Sequence, residues 1–380
     1  MSIVFIFAVM TYLSYIIWNG SPEILSLGSF SLRWYGLLFA LGFLISQQIL
    51  YYIFKKEGKP EKDVDTLTIY MIVATILGAR LGHVIFYQPE LFLENPLSII
   101  LPFEFSPSFR FTGLQGLASH GAAIGILTAL WLYGRKKKPG QNYFQILDRI
   151  VILVALTGAL IRLGNYFNSE IIGKPTESNY GVVFASNVTD LLTYDGYVES
   201  VDYVSIDTVA NNKPYKPVKM LITFKGDNSY TEEQLNNYLS GRVQSMLSFN
   251  TGVAEHVYQE GPLRYRLGKE GDHFEAVVYT NFIPRHPSQL YESISCVILF
   301  ALLFWLWSRK KEKLADGTLF GIFLIVCFGL RFVYEFLKEN QVAFEDELPL
   351  NMGQILSIPL VIAGIIILVR ALKKGTTTNA

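Results

Sequence analysis

The chain has 380 residues, of which 51% are hydrophobic and 17% are charged, and its mean hydropathy is +0.32. In soluble domains about a quarter of the residues are charged. The lower charged fraction here indicates a polytopic membrane protein with an attached soluble part. The 32 Lys and Arg residues balance 32 Asp and Glu residues, which argues against a basic surface for nucleic acid. The two cysteines, Cys296 and Cys327, lie in apolar runs and form neither a CxxC pair nor a disulfide framework.

The N-terminal stretch SIVFIFAVMTYLSYIIW (2–18) is apolar but short, and no basic region precedes it. A secretory signal peptide is therefore disfavoured. The stretch is compatible with an interfacial segment, with a partly inserted segment and with a translation start at Met10.

Runs of about 20 apolar residues predict membrane-spanning helices. Seven such runs occur, at residues 33–54, 66–88, 114–134, 145–168, 288–308, 317–337 and 351–371. Basic clusters follow the first, third, fifth and seventh runs: Lys55, Lys56, Lys59 and Lys62; Arg135 to Lys138; Arg309 to Lys313; and Arg370, Lys373 and Lys374. The positive-inside rule assigns that side to the cytoplasm, so the N-terminus is predicted outside and the C-terminus inside.

Residues 174–284 interrupt the apolar pattern. The alternating segments YKPVKMLITFKG and HFEAVVYTN predict strands, and TEEQLNNYLSGRVQSML predicts an amphipathic helix behind a threonine N-cap. The expected fold is an all-α polytopic membrane protein with seven transmembrane helices and an inserted small α+β periplasmic domain. Its predicted parts are a membrane domain with helices 1–4 (1–173), the insertion (174–284), and helices 5–7 with a cytoplasmic tail (285–380).

Polar residues gather at the predicted outer ends of all seven helices. They are Arg33 and Tyr35; Arg80 and His83; His120; Arg162, Asn165 and Asn168; His286, Gln289, Tyr291 and Glu292; Arg331 and Glu335; and Asn351 and Gln354. A guanidinium near the hydrocarbon centre costs a few kcal/mol at the least, so Arg162 and Arg331 need a partner, water or a function. Snorkelling and a structural ion pair would explain either arginine alone, but their matching depth beside two asparagines and a histidine favours a common chamber.

Residue spacing supports that chamber. Arg162, Asn165 and Asn168 recur every three residues and share one helix face, while Arg331 and Glu335 are one turn apart and can pair. Three GxxxG pairs favour close helix packing: Gly78 with Gly82, Gly121 with Gly125, and Gly317 with Gly321.

Two arginines in such a chamber suit a phosphate, because the guanidinium fork binds phosphate bidentately and stays charged. The abundant phosphate at that depth belongs to a phospholipid. A histidine such as His120 could move a proton there. His120 and His83 also have structural explanations as hydrogen-bonding side chains, and Tyr35 has one as an interfacial aromatic.

The chain resembles the prolipoprotein diacylglyceryl transferase family in seven stretches that follow the family's order. These are RWYGLLFALGF (33–43), GARLGHVIFYQPE (78–90), SHGAAIG (119–125), GALIRLGNYFNSEIIGKPTE (158–177), PRHPSQLYE (284–292), GLRFVYEF (329–336) and MGQILSIP (352–359). The resemblance implies a seven-helix enzyme of the bacterial inner membrane. It would move the diacylglyceryl group of phosphatidylglycerol onto the lipobox cysteine thiol of a prolipoprotein signal peptide, forming a thioether and releasing glycerol phosphate. No cofactor is implied, and the absence of HExxH, CxxC and acidic clusters argues against a metal.

The resemblance also implies a site. Its catalytic residues would be His120, Arg162 and Arg331, and its substrate-binding residues Tyr35, Arg162, Asn165, Glu170, Gly173 and Glu335. The arginines would clamp the phosphate and Glu335 would fix Arg331. His120 is the first candidate for the base that deprotonates the thiol, and an arginine–carboxylate network acting through water is the alternative. The chain departs from the family's pattern at Gln115 and Ala122, where glycines are common, and at Cys327, where a tyrosine is often found.

Two other classes of function compete with this one. A flippase or permease for anionic lipids would use the arginines to select headgroups, but transporters usually show inverted repeats and midplane charges, and neither is visible. An intramembrane protease is disfavoured because the sequence has no GxSxG-like serine beside a partner histidine at plausible depth.

Overall fold

The computed structural model of the chain describes residues 15–27, 30–101, 103–104, 110–111, 116, 118–178, 180–206, 214–226, 230–339, 345 and 348–377. The predicted N-terminal segment up to position 14 and Gln115 lie outside the described residues. The chain divides into two compact units. The first consists of the described residues of Met1–Phe39, Leu160–Ile294 and Arg331–Ile355, and the second of those of Ala40–Ala159, Ser295–Leu330 and Leu356–Ala380.

Helices make up most of the described chain. In order they are α1 (Trp34–Lys56), α2 (Lys62–Tyr87), α3 (Leu91–Glu94), α4 (Leu97–Ile100), α5 (Ser119–Gly134), α6 (Tyr143–Phe167), α7 (Ser186–Tyr194), α8 (Glu232–Asn237), α9 (Gln244–Phe249), α10 (Thr251–Ala254), α11 (Ser288–Lys310), α12 (Thr318–Tyr334) and α13 (Met352–Thr377). A π-helical turn, Tyr238–Val243, joins α8 to α9, and 3₁₀ turns follow α11 at Lys311–Lys313 and α12 at Glu335–Leu337.

The strands form one larger sheet and several pairs. In order they are β1 (Ile16–Trp18), β2 (Glu23–Leu27), β3 (Phe30–Arg33), β4 (Phe103–Glu104), β5 (Arg110–Phe111), β6 (Val182–Phe184), β7 (Val198–Ser205), β8 (Lys216–Phe224), β9 (Val257–Tyr258), β10 (Arg264–Glu270) and β11 (His273–Phe282). The larger sheet is antiparallel in the order β10–β11–β8–β7, and β9 also pairs with β11. β1 pairs with β6 in parallel, while β2 with β3 and β4 with β5 pair antiparallel.

Six helices of the described chain are long and apolar enough to cross a membrane: Trp34–Lys56, Lys62–Tyr87, Tyr143–Phe167, Ser288–Lys313, Thr318–Leu337 and Met352–Lys374. Each coincides with a predicted span. The remaining predicted span, 114–134, is α5, which has 16 residues and is therefore about 24 Å long. That length falls short of the roughly 20 residues that ordinarily span a bilayer.

Helix packing in the second unit depends on paired glycines. A Cβ on Gly82 would lie 2.6 Å from Gly121 Cα, and one on Gly125 would lie 3.1 Å from Gly78 Cα. Two of the three GxxxG pairs therefore form one α2–α5 contact, in which small residues let the backbones approach closely. The third pair also contributes, because a Cβ on Gly321 would lie 3.0 Å from the Gly364 carbonyl oxygen.

The ends of several helices in the second unit are joined by buried charges. Glu57, just after α1, accepts hydrogen bonds from Arg149 of α6 at 2.8 Å and from the Trp307 indole of α11 at 2.7 Å. Asp148 of α6 accepts from the backbone amide of Gly317, before α12, at 2.8 Å. The C-terminal ends of α1 and α11 and the N-terminal ends of α6 and α12 therefore lie close together.

The predicted α+β domain is confirmed in the first unit. The segments expected to be strands are β8 and β11, and Thr231 caps α8 with a complete capping box. The alternate residues Val218, Met220 and Ile222 of β8 are buried in the core of this domain. In this core the inward side of the sheet packs against residues of the helical segments from α8 to α10.

Candidate active site

Polar side chains form a chain of contacts at the C-terminal end of α6. Arg162 Nη1 donates to Asn165 Oδ1 at 3.4 Å. Asn165 Nδ2 and Asn168 Nδ2 donate to the two carboxylate oxygens of Glu170 at 3.3 and 3.2 Å. The predicted stripe on this helix is therefore confirmed as one connected group.

The backbone around Glu170 is unusual. Ser169 and Ile171 have φ angles of 53° and 55°, a left-handed conformation that non-glycine residues rarely adopt. Side chains from α11 hold this segment: Ser288 Oγ donates to the Ile171 carbonyl at 2.7 Å, and Gln289 Nε2 donates to the Glu170 carbonyl at 2.5 Å. Such strain persists where surrounding contacts enforce it, often at functional sites.

Gly173 lies where three backbone segments meet. A Cβ at this position would lie 2.6 Å from His286 Cβ and 2.7 Å from the Leu337 carbonyl oxygen. Its amide donates to the His286 carbonyl at 2.9 Å. Burial lowers the pKa of the His286 imidazole. A side chain at position 173 would therefore force apart the segments that carry His286 and Leu337.

An alternating series of charges joins three helices of the first unit. Arg162 Nε forms an ion pair with Glu292 of α11, and Lys338 forms an ion pair with Glu292 as well. Lys338 Nζ also contacts Glu335 Oε1 at 3.1 Å, and Arg331 Nε lies 3.6 Å from the same oxygen. The series therefore runs from Arg162 through Glu292, Lys338 and Glu335 to Arg331.

Burial differs along this series. The side chains of Glu292 and Glu335 are each 10% exposed and that of Lys338 is 4% exposed, whereas Arg162 is 24% and Arg331 is 38% exposed. Asn351 Nδ2 donates to Glu335 at 3.2 Å. The carboxylates and the lysine thus form a fixed interior, and both arginines retain accessible surface.

Arg285 anchors the surrounding loops. Its Nε donates to the Glu255 carbonyl at 2.9 Å, and its Nη1 contacts the Gly173 carbonyl at 3.2 Å and Glu339 at 2.9 Å. The residue is 4% exposed. It therefore holds together the segment after α6, the segment after α12 and the edge of the soluble domain.

Tyr35 lies in the first turn of α1 and stacks on Phe39 with ring centroids 6.4 Å apart. A Cβ on Gly164 would lie 3.0 Å from Tyr35 Cα, so this glycine allows α1 to approach α6 between Arg162 and Asn165.

Other residues of the predicted polar level lie in the second unit. His120 is in the first turn of α5, and its ring centroid is 5.1 Å from that of Phe86 and 6.5 Å from that of Tyr87. Arg80 Nε donates to the Ile99 carbonyl at 3.1 Å and Nη2 to the Ser98 carbonyl at 3.0 Å, a structural role. His83 packs against Gly116.

Most predicted site residues therefore belong to one unit, with His120 in the other. The expected pairing of Arg331 with Glu335 is confirmed, but the sequence did not assign roles to Glu292 and Lys338. Glu292 was visible in the motif PRHPSQLYE, and Lys338 is three residues beyond Glu335, a spacing that places helical side chains on one face.

The profile of the prolipoprotein diacylglyceryl transferase family matches residues 22–370. The chain belongs to the prolipoprotein diacylglyceryl transferase family. It is thus an enzyme, a transferase with several apolar helices that could cross a membrane.

Relatives named phosphatidylglycerol–prolipoprotein diacylglyceryl transferase match nearly the whole chain. The protein from Bacteroides fragilis is 33% identical over 92% of this chain and 92% of its own length. Those from Tolumonas auensis and Chloroherpeton thalassium are 32% and 33% identical over 94% and 95% of this chain, and over 98% and 96% of their own lengths. Because these matches extend over nearly the whole chain, the family assignment covers both units.

Proposed function

We propose that the chain transfers the diacylglyceryl group of phosphatidylglycerol to the lipobox cysteine thiol of prolipoproteins. A bond forms between sulfur and the glycerol carbon, and the bond from that carbon to the phosphate oxygen breaks. Glycerol phosphate leaves with the electron pair, and the thiol gives its proton to a base. The substrate names carried by relatives that match over 90% of this chain support the proposal.

The main structural support for the proposal is that buried carboxylates hold two arginines in place. Arg162 and Arg331 each face a buried carboxylate through Nε. Arg162 Nη1 also donates to Asn165, so we assign Nη2 of Arg162 and the terminal nitrogens of Arg331 to the anionic ligand. A guanidinium fork suits phosphate oxygens, and preorganised donors stabilise the charge that grows on a leaving group. The two arginines therefore clamp the phosphate and stabilise it as it departs.

Buried acceptors beside this network suit the rest of the headgroup. Asn168 Oδ1 and Gln289 Oε1 are buried and have no hydrogen-bond partner among the described residues. Unpaired buried acceptors are costly, and the glycerol hydroxyls of phosphatidylglycerol are donors that could satisfy them. Asn165 and Tyr35 orient the headgroup, Glu170 holds both asparagines, Gly173 keeps the loop closed, and Glu335 fixes Arg331.

The thiol needs a base because the thiolate is the nucleophile. His120 is our first choice, since a neutral imidazole can accept a proton near physiological pH. An arginine–carboxylate network that acts through water is the alternative, and Glu292 and Glu335 are its carboxylates.

The proposed setting is the bacterial inner membrane, with seven spans, the N-terminus outside and the C-terminus inside. In this setting the site faces the periplasmic leaflet and the soluble domain (174–284) is periplasmic, while residues 1–173 and 285–380 are assigned to the membrane domain.

A mass measurement tests the function. Purified protein in detergent is incubated with phosphatidylglycerol and a lipobox peptide, and the peptide should gain the mass of one diacylglyceryl group. Arg162→Lys and Arg331→Lys keep the charge but lose the fork, so each should lower kcat about 100-fold. The exposed Arg309→Lys is the matched control and should retain activity. Near-normal transfer by both lysine variants would refute the phosphate clamp.

A pH profile tests the base. Wild-type kcat/KM should rise with pH as the base loses its proton, and His120→Asn should remove that rise. An unchanged profile would instead favour the carboxylate network.

A further inference from the structure

A cavity of about 390 Å³ opens on the soluble domain, and none of the residues assigned to the transfer site lines it. Its lining includes Arg264 and Arg266 of β10, Tyr279 and Asn281 of β11, and Pro217 and Ile206. Cavities of this size are typical of ligand sites, and nothing in the proposed transfer reaction uses this one.

The cavity lies on the side of the sheet opposite the domain core. Tyr265 and Leu267 of β10 pack against the core, and side chains alternate between the faces of a strand. Arg264 and Arg266 therefore share the outer face, where Arg264 is directly opposite Tyr279. Leu221 and Val204 of the neighbouring strands also face outward and are 37% and 45% exposed.

The two arginines give this cavity a local positive charge. Both are exposed, and neither has a carboxylate within ion-pair distance in the part of the chain that the structure describes. Glu275, the nearby outward-facing carboxylate of β11, lies 3.3 Å from His273. Carboxylates are good ligands for such guanidiniums because charge-assisted hydrogen bonds are strong and directional.

The same arginines lie on an edge strand. Within the described sheet β10 pairs with β11 alone, so one side of its backbone is available to a further strand. An extended peptide can add to such an edge through main-chain hydrogen bonds. Its side chains would then stand about 5 Å from those of β10 on the same face, which brings acidic side chains opposite Arg264 and Arg266.

We propose that this cavity and the β10 edge bind an extended acidic segment of the polypeptide substrate, in the part that follows the modified cysteine. The identity of the polypeptide rests on the proposed function. Tyr279 is only seven positions from His286, which contacts Gly173. At about 3.3 Å per residue that segment spans roughly 23 Å at most. Acidic residues about seven to ten positions after the cysteine would therefore reach the cavity.

Binding is the first test, with the full chain in detergent. One fluorescent lipobox peptide carries four Asp or Glu residues at these positions, a second carries the corresponding amides, and serine replaces the cysteine in both. Fluorescence anisotropy should show tighter binding of the acidic peptide. The double variant Arg264→Gln with Arg266→Gln should weaken it about tenfold, as expected for two exposed charge contacts. Lys225→Gln is the matched control, since this lysine is exposed and lies outside both the cavity lining and β10.

Kinetics separate this inference from the proposed function. With cysteine-containing peptides, the double variant should raise KM for the acidic peptide about tenfold and leave kcat unchanged. If the wild type binds the acidic peptide through these arginines but transfers nothing, the docking site stands and the transfer function fails. If transfer occurs and the double variant changes neither Kd nor KM, the docking site is wrong. Binding of anionic vesicles in place of the acidic peptide would assign the cavity to a membrane surface and also overturn the proposal.

Discussion

Lys338 holds together two carboxylates that would otherwise repel one another. Its ammonium contacts both Glu292 and Glu335, and these acids in turn fix Arg162 and Arg331. Each acid therefore interacts with one interior cation and one partly exposed cation. Loss of the shared lysine would disturb the positions of both arginines at once, although it touches neither.

We predict that Lys338→Met destabilises the protein by about 3 kcal/mol, because removing one partner of a buried ion pair leaves uncompensated charge. Transfer activity should fall as well, since Glu292 and Glu335 would no longer hold the two arginines of the proposed phosphate site in position. Thermal unfolding in detergent and the peptide mass assay measure the two effects.

A second substitution separates charge from packing. Lys338→Met combined with Glu292→Gln removes one charge of each sign and should recover part of the stability, but not the activity, because Arg162 then lacks its carboxylate. Lys174→Met is the control, because this lysine is exposed and its backbone amide donates to the carbonyl of Leu337, next to Lys338. A Lys338→Met protein that melts like the wild type would rule out this role for the network.

The buried His256 should make the stability of the soluble domain depend on pH. The residue is 2% exposed, its Nε2 lies 3.1 Å from Asn187 Nδ2, and its Nδ1 has no partner among the described residues. Burial, with a smaller contribution from the charge of Arg285, lowers the pKa of His256 to about 4. An unfolded chain protonates this imidazole near its ordinary pKa, about 6.5.

Stability should therefore be fully present above about pH 6.5 and decline as the pH falls toward 4. The loss is about 3 kcal/mol if the whole shift is expressed, because the unfolded state binds the additional proton. His256→Gln should flatten this part of the curve of unfolding free energy against pH. Parallel curves for the wild type and His256→Gln would contradict the assignment.

At the scale of the helix, the α2–α5 contact leaves no space for a side chain. A Cβ on Gly82 would meet backbone at 2.6 Å from Gly121 Cα, and backbone cannot yield as a flexible side chain can. This contact fixes the turn of α5 that begins with Ser119 and His120. Its effect should therefore reach the proposed base.

We predict that Gly82→Ala lowers stability by about 1–3 kcal/mol through overpacking and reduces kcat. Gly329→Ala in α12 is the matched control, because a Cβ there has nothing within 4 Å and alanine is the better helix former. Thermal unfolding of both variants in detergent decides the matter. Equal melting temperatures would mean that the helices can separate at little cost.

The elements that sequence could predict are those whose signal is local. Apolar length predicted the long helices, alternation predicted β8 and β11, and four-residue spacing predicted the Arg331–Glu335 pair. The contact of Arg162 with Glu292 joins residues 130 positions apart, so no periodicity could reveal it. Lys338 lies one residue beyond the predicted helix 317–337, so the pattern of polar residues at the helix ends did not include it.

At the scale of the molecule, contacts within the second unit show which helix ends lie together. Lys138, just after α5, forms an ion pair with Asp63 at the start of α2. Gly317, before α12, would touch Ile367 of α13 through a Cβ at 3.0 Å. These pairs, together with the contacts of Glu57 with Arg149 and Trp307, show that one end of the second unit contains the loops after α1, α5 and α11 and the last turns of α13. Because α2 begins at that end and Lys138, just after α5, lies there too, the 16-residue α5 runs back toward it beside α2.

We therefore predict that α5 is the seventh crossing and that the gathered ends are cytoplasmic, because all four basic clusters lie there. Single cysteines placed in a Cys296→Ser, Cys327→Ser background test this in whole cells with a membrane-impermeant maleimide. Lys136→Cys and Lys373→Cys should react only after the membrane is permeabilised, whereas Asn95→Cys and Tyr194→Cys should react in intact cells. All four residues are exposed, so burial does not confound the comparison. Labelling of Lys136→Cys in intact cells would mean that α5 fails to cross, and the odd number of spans that puts the termini on opposite sides would then be wrong.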